Sequence, residues 1–261
     1  MLGMILFLLY LIFVFSSDIH KKIEDIKKYA VCYSKVSVDE IESFELLILD
    51  PDHYTADEIA KFKEYDVILI AYINIAEFET YRGYSIPDSL IIGKNPNWEN
   101  HFYVDITSDI WQDLIFNQII PKIISKNFDG FFIDMIDIVQ IFPHFREKVI
   151  DMIRLMKAQN KGKFIIANNG WALIDTLKNY VDAFLIEGLF TRYDFQRKRY
   201  FVRFEKEYAS KVEILKSLGK KIFTLDFLSE NDKRRSYVKN LSRYYGFTPY
   251  VSTIELNKIY R

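Results

Sequence analysis

Cysteine is almost missing from this chain: Cys32 is the single one among 261 residues. That excludes an internal disulfide and any multi-cysteine metal site. Cys32 lies in the apolar run Tyr29 to Tyr33, where a buried, inert thiol is expected rather than a nucleophile. Net charge is missing too, at -1, so no global field favours nucleic acid or an anionic membrane. There is no Gly-rich phosphate loop, which argues against a nucleotide site. There is no GxSxG elbow to present a serine nucleophile. The histidines, His20, His53, His101 and His144, are widely spaced and form no HExxH pattern. Carboxylates alone can hold Mg or Ca, but no metal or cofactor is expected. His53 and His144 read as residues that stack or hydrogen-bond near a rim.

What is present begins with an apolar N-terminus. Leu2 to Phe15, LGMILFLLYLIFVF, carries no charge and is followed by Ser16-Ser17-Asp18. The run suits a signal-peptide core better than a full span, which needs roughly 20 residues. No Lys or Arg precedes it and no clear small-x-small cleavage site follows, so a short uncleaved anchor is the alternative. Residues 1–28 are therefore expected outside the fold, as signal or anchor. The protein would be exported, to the extracellular space or cell envelope, and would touch a membrane only through this segment.

From residue 29 onward, short apolar runs alternate with amphipathic segments. Strands are predicted at Ala30–Ser34, Leu46–Leu49, Val67–Ile73, Gly130–Asp134, Phe164–Ala167, Ala183–Glu187, Ile222–Asp226 and Thr248–Val251. Most are apolar at consecutive positions, as in parallel strands covered on both faces. Helices are predicted at Ala56–Tyr65, Asp109–Lys126, Phe145–Gln159, Asp194–Leu218 and Asp232–Tyr245. Eight strands with intervening helices describe an α/β fold, a single-domain (β/α)8 TIM barrel over 29–261. A doubly wound open sheet is the alternative. The basic stretch Arg192 to Tyr208 mixes cations with aromatics. Phe201, Phe204, Tyr208, Val212 and Leu215 fall at helical spacing, so a solvated amphipathic helix explains it better than a nucleic-acid surface. One connection is too long for a simple crossover. The segment after Ile73, rich in aromatics from Phe78 to Trp98, reads as a binding loop inserted beside the third strand.

In such a barrel, function belongs at the C-terminal strand ends. Asp50 closes the second strand, Tyr72 and Asn74 the third, Asp134 the fourth, Asn168 and Asn169 the fifth, Glu187 the sixth and Asp226 the seventh. Each alone is a turn or cap residue as readily as a functional one. Together they put acids and amides on one rim, where like charges repel unless substrate, hydrogen bonds or shifted pKa values manage them. Asp134 and Glu187 each follow a strongly apolar run, GFFI and AFLI. Two carboxylates in different environments suit glycoside hydrolysis: one, protonated, serves the leaving oxygen, and the other, ionised, attacks the sugar or activates water.

The same segments resemble glycoside hydrolase family 114, which includes the endo-α-1,4-polygalactosaminidases. The resemblance runs from about Tyr29 to Tyr260. It rests on pieces in the family's order: AYINIAEFETYR, NPNWENHFYVDITSDIW, FDGFFIDMID, IIANNG, AFLIEGLF and YYGFTPYVS. Two positions depart from the family pattern: Ala76 stands where glycine is common and Asn74 where a small hydroxyl residue is frequent. The resemblance implies an extracellular barrel that hydrolyses O-glycosyl bonds, endo-acting on α-linked, galactosamine-containing polysaccharide. Asp134 would be its nucleophile or base and Glu187 its proton donor. Asp50, Tyr72, Asn74, Glu77, Asp137, Asn169 and Asp226 would shape the sugar subsite. Arg82 would pair with Glu77 or Glu79 and brace the insertion, and Tyr72, Tyr84 and Trp98 either stack on sugar rings or pack internally. The alternative from another class is a carbohydrate-binding or envelope protein that keeps the barrel without turnover.

Overall fold

The structure is a computed structural model that describes residues 23–261. Its frame is one eight-stranded sheet. The strands are β1 (Tyr29–Cys32), β2 (Leu46–Leu49), β3 (Ile68–Asn74), β4 (Gly130–Asp134), β5 (Phe164–Asn168), β6 (Ala183–Glu187), β7 (Lys221–Phe227) and β8 (Thr248–Ser252). They pair in chain order, every pair parallel. The two ends of the sheet approach each other: Tyr29 packs on Tyr250 at 5.7 Å. The Thr248 hydroxyl donates to Ile26 O at 3.1 Å, and Tyr33 N–H to Leu256 O at 2.8 Å. Helices cover the outside, so the strands are buried along almost their whole length, as the continuous apolar runs require. The eight predicted strands all form, with ends displaced by a residue or so. This is the expected (β/α)8 barrel. Cys32 is fully buried in it, and burial pushes its thiol up to about 11, out of the reactive range.

Three expectations need correction. Helix Asp194–Leu218 is helical only from Glu205 to Ser217. Its first part is an antiparallel hairpin, Thr191–Asp194 against Arg199–Val202. Asp194 Oδ1 accepts the N–H groups of Gln196 and Arg197, and Lys198 turns the chain at φ 51°, so the Tyr, Phe and Val residues on either side pair as strands. The insertion after β3 is likewise not a loop but a small antiparallel sheet of Glu77–Glu79, Ile91–Lys94 and His101–Val104. Finally, Ile23 and Ile26 are buried in the core, ahead of the domain boundary placed at residue 28. The apolar run Leu2 to Phe15 lies outside the described residues. Among those described, no helix is long and apolar enough to cross a membrane.

The helical layer after the insertion carries a π-helical stretch, Leu114–Ile119, ahead of Ile120–Ser125. Pro121 has no N–H to return to the preceding turn, and the widened stretch accommodates it. At the start of β4 the backbone of the neighbouring strand leaves no room for a side chain. A Cβ on Gly130 would meet Phe164 Cβ at 2.6 Å and crowd its carbonyl as well. Gly130→Ala should therefore destabilise the barrel by about 3 kcal/mol, lowering the melting temperature by roughly 6–12 °C. Thermal denaturation followed by circular dichroism checks this; an unchanged melting temperature contradicts it.

Candidate active site

The strand register builds the site. Asn74 and Asp134 are paired neighbours on β3 and β4, and Asn168 on β5 pairs with Leu185 on β6. Side chains alternate, so Glu187 points the same way as Leu185 and stands one pleat higher than Asn168. From there it reaches down to the amide. Asn168 Nδ2 donates to Asp134 Oδ1 at 2.7 Å and to Glu187 Oε1 at 3.1 Å. The two carboxylate oxygens are thus within about 6 Å of each other, held by a single NH2 group. Asn168 Oδ1 is buried without a partner among the described residues. Leaving it so costs about 1–3 kcal/mol.

The two acids differ in their surroundings. Asp134 also accepts from Met135 N–H at 2.7 Å and from the Tyr72 hydroxyl at 3.1 Å. Burial raises its pKa, while those donors and Asn168 oppose the rise by stabilising the ionised form. Among the described residues, the Glu187 carboxyl has only the Asn168 amide. Burial first, then the Asp134 charge, push it up to about 8. Of the pair, Glu187 keeps the proton at neutral pH. The loops after these strands are bent to achieve this. Met135 is left-handed at φ 63°, as is Asn169 at φ 51°, and conformations of that kind cost a residue other than glycine about 1–3 kcal/mol. Asn169 Oδ1 accepts the N–H of Glu187 at 3.0 Å and fixes that residue's backbone. Next to it Gly170, at φ 78°, packs where a Cβ would meet Ile136 Cγ2 at 2.9 Å.

The pair opens into a cavity of about 420 Å3. Asp50, Tyr72, Glu77, Asp137 and Asn169 line it, as expected from the sequence. Asp137 accepts from Gln140 at 2.8 Å, and burial raises its pKa. Asn74 does not line this cavity. Its Oδ1 accepts the N–H groups of Ala76 and Glu77, and its Nδ2 donates to Glu77, so it braces the insertion. Asp226 is not in the cavity either. It shares a strand face with Thr224, whose hydroxyl bonds Ser242 on the helical layer. Its Oδ1 accepts from Phe190 N–H, Thr191 N–H and the Thr191 hydroxyl, which ties down the chain after β6. Burial pushes this carboxyl up to about 6.

The small sheet adds groups that sequence reasoning only partly anticipated. Arg82 is almost wholly buried and pairs with Glu79, Asp50 and Asp52, not with Glu77. Glu77 instead accepts from Asn95 at 2.7 Å and is 2.9 Å from His101 Nδ1. Burial works against a charged His101, but the Glu77 hydrogen bond and the charges of Glu79 and Asp134 outweigh it and raise its pKa. The Tyr72 hydroxyl lies 2.9 Å from Glu79 Oε1 as well as 3.1 Å from Asp134, and one O–H cannot donate to both at once. Tyr72 therefore acts through its hydroxyl. Trp98 stands exposed at the mouth, whereas Tyr84 packs on Phe78 and lines a smaller separate cavity. His144 packs on Phe145 at 4.4 Å with the rings tilted by 59°, outside the cavity lining.

The model of glycoside-hydrolase family GH114 matches residues 18–261. The chain belongs to that family. It is a glycoside hydrolase, and carbohydrate is its substrate class. An uncharacterized protein of Methanocaldococcus jannaschii is 26% identical over 268 residues, covering 86% of this chain and 75% of that protein. The glycoside hydrolase domain of PelA from Pseudomonas aeruginosa superposes with a TM-score of 0.76 at 20% identity, over 90% of this chain and 97% of the other. Ega3 of Aspergillus fumigatus, solved in complex with galactosamine, gives 0.70 at 14% identity, over 88% and 91%. These superpositions establish the shared barrel.

The sequence reading undervalued two residues of the hydrolase cavity. Asn168 was placed on the rim, but Asn169 was favoured as the sugar contact. Two-residue alternation from Ile166 identifies Asn168 as the inward one. His101 was passed over for His53 and His144, although it sits in the Trp-containing segment of the insertion.

Two outcomes follow from the acid pair. Replacing Tyr72 by Phe removes a donor to ionised Asp134, raises that carboxyl's pKa and moves the acid limb of the kcat/KM profile to higher pH; an unmoved limb contradicts the assignment. Glu187 binds its proton more tightly folded, about 8 against 4.5, so stability falls as pH rises through that window. Glu187→Gln should therefore melt higher than the wild type at pH 8 and lose that margin by pH 4, in paired calorimetric scans.

Proposed function

We propose that this glycoside hydrolase is an exported enzyme that cuts α-linked, galactosamine-containing polysaccharide within the chain, with retention of configuration. Asp134 is the nucleophile and Glu187 the acid and base. The observation that carries this reading is the shared Asn168 amide. Its two hydrogen bonds bring one oxygen of each acid within about 6 Å of the other, which favours the roughly 5–5.5 Å spacing of retaining enzymes over the wider spacing of inverting ones.

The unequal hydrogen bonding divides the roles. Glu187, protonated, gives its proton to the glycosidic oxygen as the C1–O bond breaks. Asp134, held ionised by three donors, forms the bond to C1. Glu187, now a carboxylate, then takes a proton from water. The water oxygen bonds C1, releasing Asp134 and restoring both acids to their starting state. After the first step Asp134 no longer carries charge, and the Tyr72 proton is free to turn to Glu79.

Charge supports an amino sugar. Asp50, Glu77, Glu79, Asp134, Asp137 and Glu255 line the cavity beside the protonated Glu187, with Arg82 and, when it holds its second proton, His101 as the opposing cations. The excess of carboxylates favours a substrate bearing ammonium groups. The galactosamine bound to Ega3, on the same barrel, points the same way. The apolar run Leu2 to Phe15 supports export, and a barrel domain following that leader fits an extracellular or envelope location.

The test is α-1,4-linked galactosamine polymer, followed by new reducing ends. Asp134→Asn should abolish cleavage, and Glu187→Gln should lower it by about 10²–10⁴-fold. On aryl glycosides whose leaving group needs no proton, Glu187→Gln should spare kcat/KM but still lower kcat, because the second step lacks its base. Correctly folded variants that cleave as fast as wild type would refute the pair. The fully N-acetylated polymer should be the poorer substrate, with the difference shrinking as salt is raised. Equal rates on both polymers would contradict the charge argument.

A further inference from the structure

The cavity around the acid pair is too small to enclose a polymer, and the surface beside it is not plain. A chain of ring contacts leaves its mouth. Tyr81 lies 5.8 Å from His101, His101 lies 6.4 Å from Trp98, and Trp98 meets Phe195 edge-on at 5.4 Å. Phe195 continues to Tyr193 at 5.0 Å, and Tyr193 to Tyr200 at 4.7 Å. The Tyr200 hydroxyl accepts the N–H of Ile254 at 3.2 Å, and Ile254 lines the cavity. The first half of this arc belongs to the insertion after β3, the second to the hairpin after β6. The two excursions meet at Trp98 and Phe195, and Trp98 lines the cavity.

The fold spends buried polar groups to hold the hairpin there. Asp226 takes two backbone N–H groups at its base, and Arg203 Nε donates to the carbonyls of Gly188 at 3.0 Å and Thr191 at 2.9 Å. Asp194 closes the turn that puts Phe195 at the tip. Aromatic rings left partly in water on a firmly anchored hairpin are positioned, not stray. Flat rings of this kind pack against the apolar C–H faces of pyranose units, which need no charge and tolerate sliding. The excess of carboxylates lies within the cavity, where the reacting sugar sits, while the arc offers rings.

We propose that Trp98, Phe195 and Tyr193 form an extended binding platform for sugar units of the same polysaccharide lying outside the central cavity, so that the hairpin makes the enzyme favour long chains over short ones. This rests on the glycoside hydrolase reading of the acid pair and adds the recognition of chain length.

The experiment uses Glu187→Gln protein, which should bind without rapid turnover, and galactosamine oligomers of two lengths, one short enough for the cavity and one several units longer. Calorimetric titration should give tighter binding of the long oligomer. Adding Phe195→Ala should weaken the long oligomer by roughly five- to tenfold and leave the short one unchanged. Phe195→Leu, which keeps apolar bulk without a ring, should behave like Ala, and Phe195→Tyr should restore the preference. In the otherwise unaltered enzyme, the same changes should raise KM for the long substrate at constant kcat. If the long oligomer keeps its full advantage in Phe195→Ala and Phe195→Leu, or if both lengths weaken equally, the platform is refuted and the acid pair stands. If Glu187→Gln protein binds neither length, the amino-sugar reading falls and the platform with it.

Discussion

The site depends on one amide. Asp134 and Glu187 come from different strands, and two carboxylates this close would repel if both were ionised out of bulk water. Asn168 resolves the conflict by giving one proton of its NH2 group to each. The remaining donors then break the symmetry, since Met135 and Tyr72 reach Asp134 and not Glu187. One acid is kept ready to attack and the other ready to give a proton. The distinction comes from hydrogen-bond supply more than from exposure, because both groups are partly buried in one cavity.

Much of the surrounding architecture keeps that amide in place. β4, β5 and β6 set its height through their register. The left-handed turns at Met135, Asn169 and Gly170 carry the chain away at once after each functional group. On the insertion side, Arg82 joins Asp50 to Glu79, and Glu79 reaches Tyr72, whose hydroxyl is the last link to Asp134. Buried charges of this kind add little net stability as a set, yet removing one leaves its partners unpaired. They are better understood as fixing geometry than as holding the barrel together.

Much of this was legible in the sequence, for definite reasons. Parallel strands buried on both faces leave continuous apolar runs such as GFFI and AFLI, and the acids that end them mark the rim. The hairpin at Thr191–Val202 was not legible, because Phe201, Phe204 and Tyr208 also satisfy a helical spacing and a turn set by Asp194 and Lys198 leaves no strong signal. Asp226 misled for a related reason. A carboxylate near a strand end looks the same whether it faces the cavity or the helical layer, and only the alternation fixed by Thr224 and Ser242 decides. Asn168 lost out to Asn169 because adjacent identical residues differ only in which way they point.

The central claim is that Asp134 is the nucleophile of a retaining pair. The most direct test is to incubate the protein with an activated, slowly hydrolysed glycosyl fluoride of galactosamine and map the labelled peptide by mass spectrometry. The account predicts a single covalent sugar on Asp134, lost in Asp134→Asn. A label on Glu187, or turnover to the inverted product with no label at all, would contradict it.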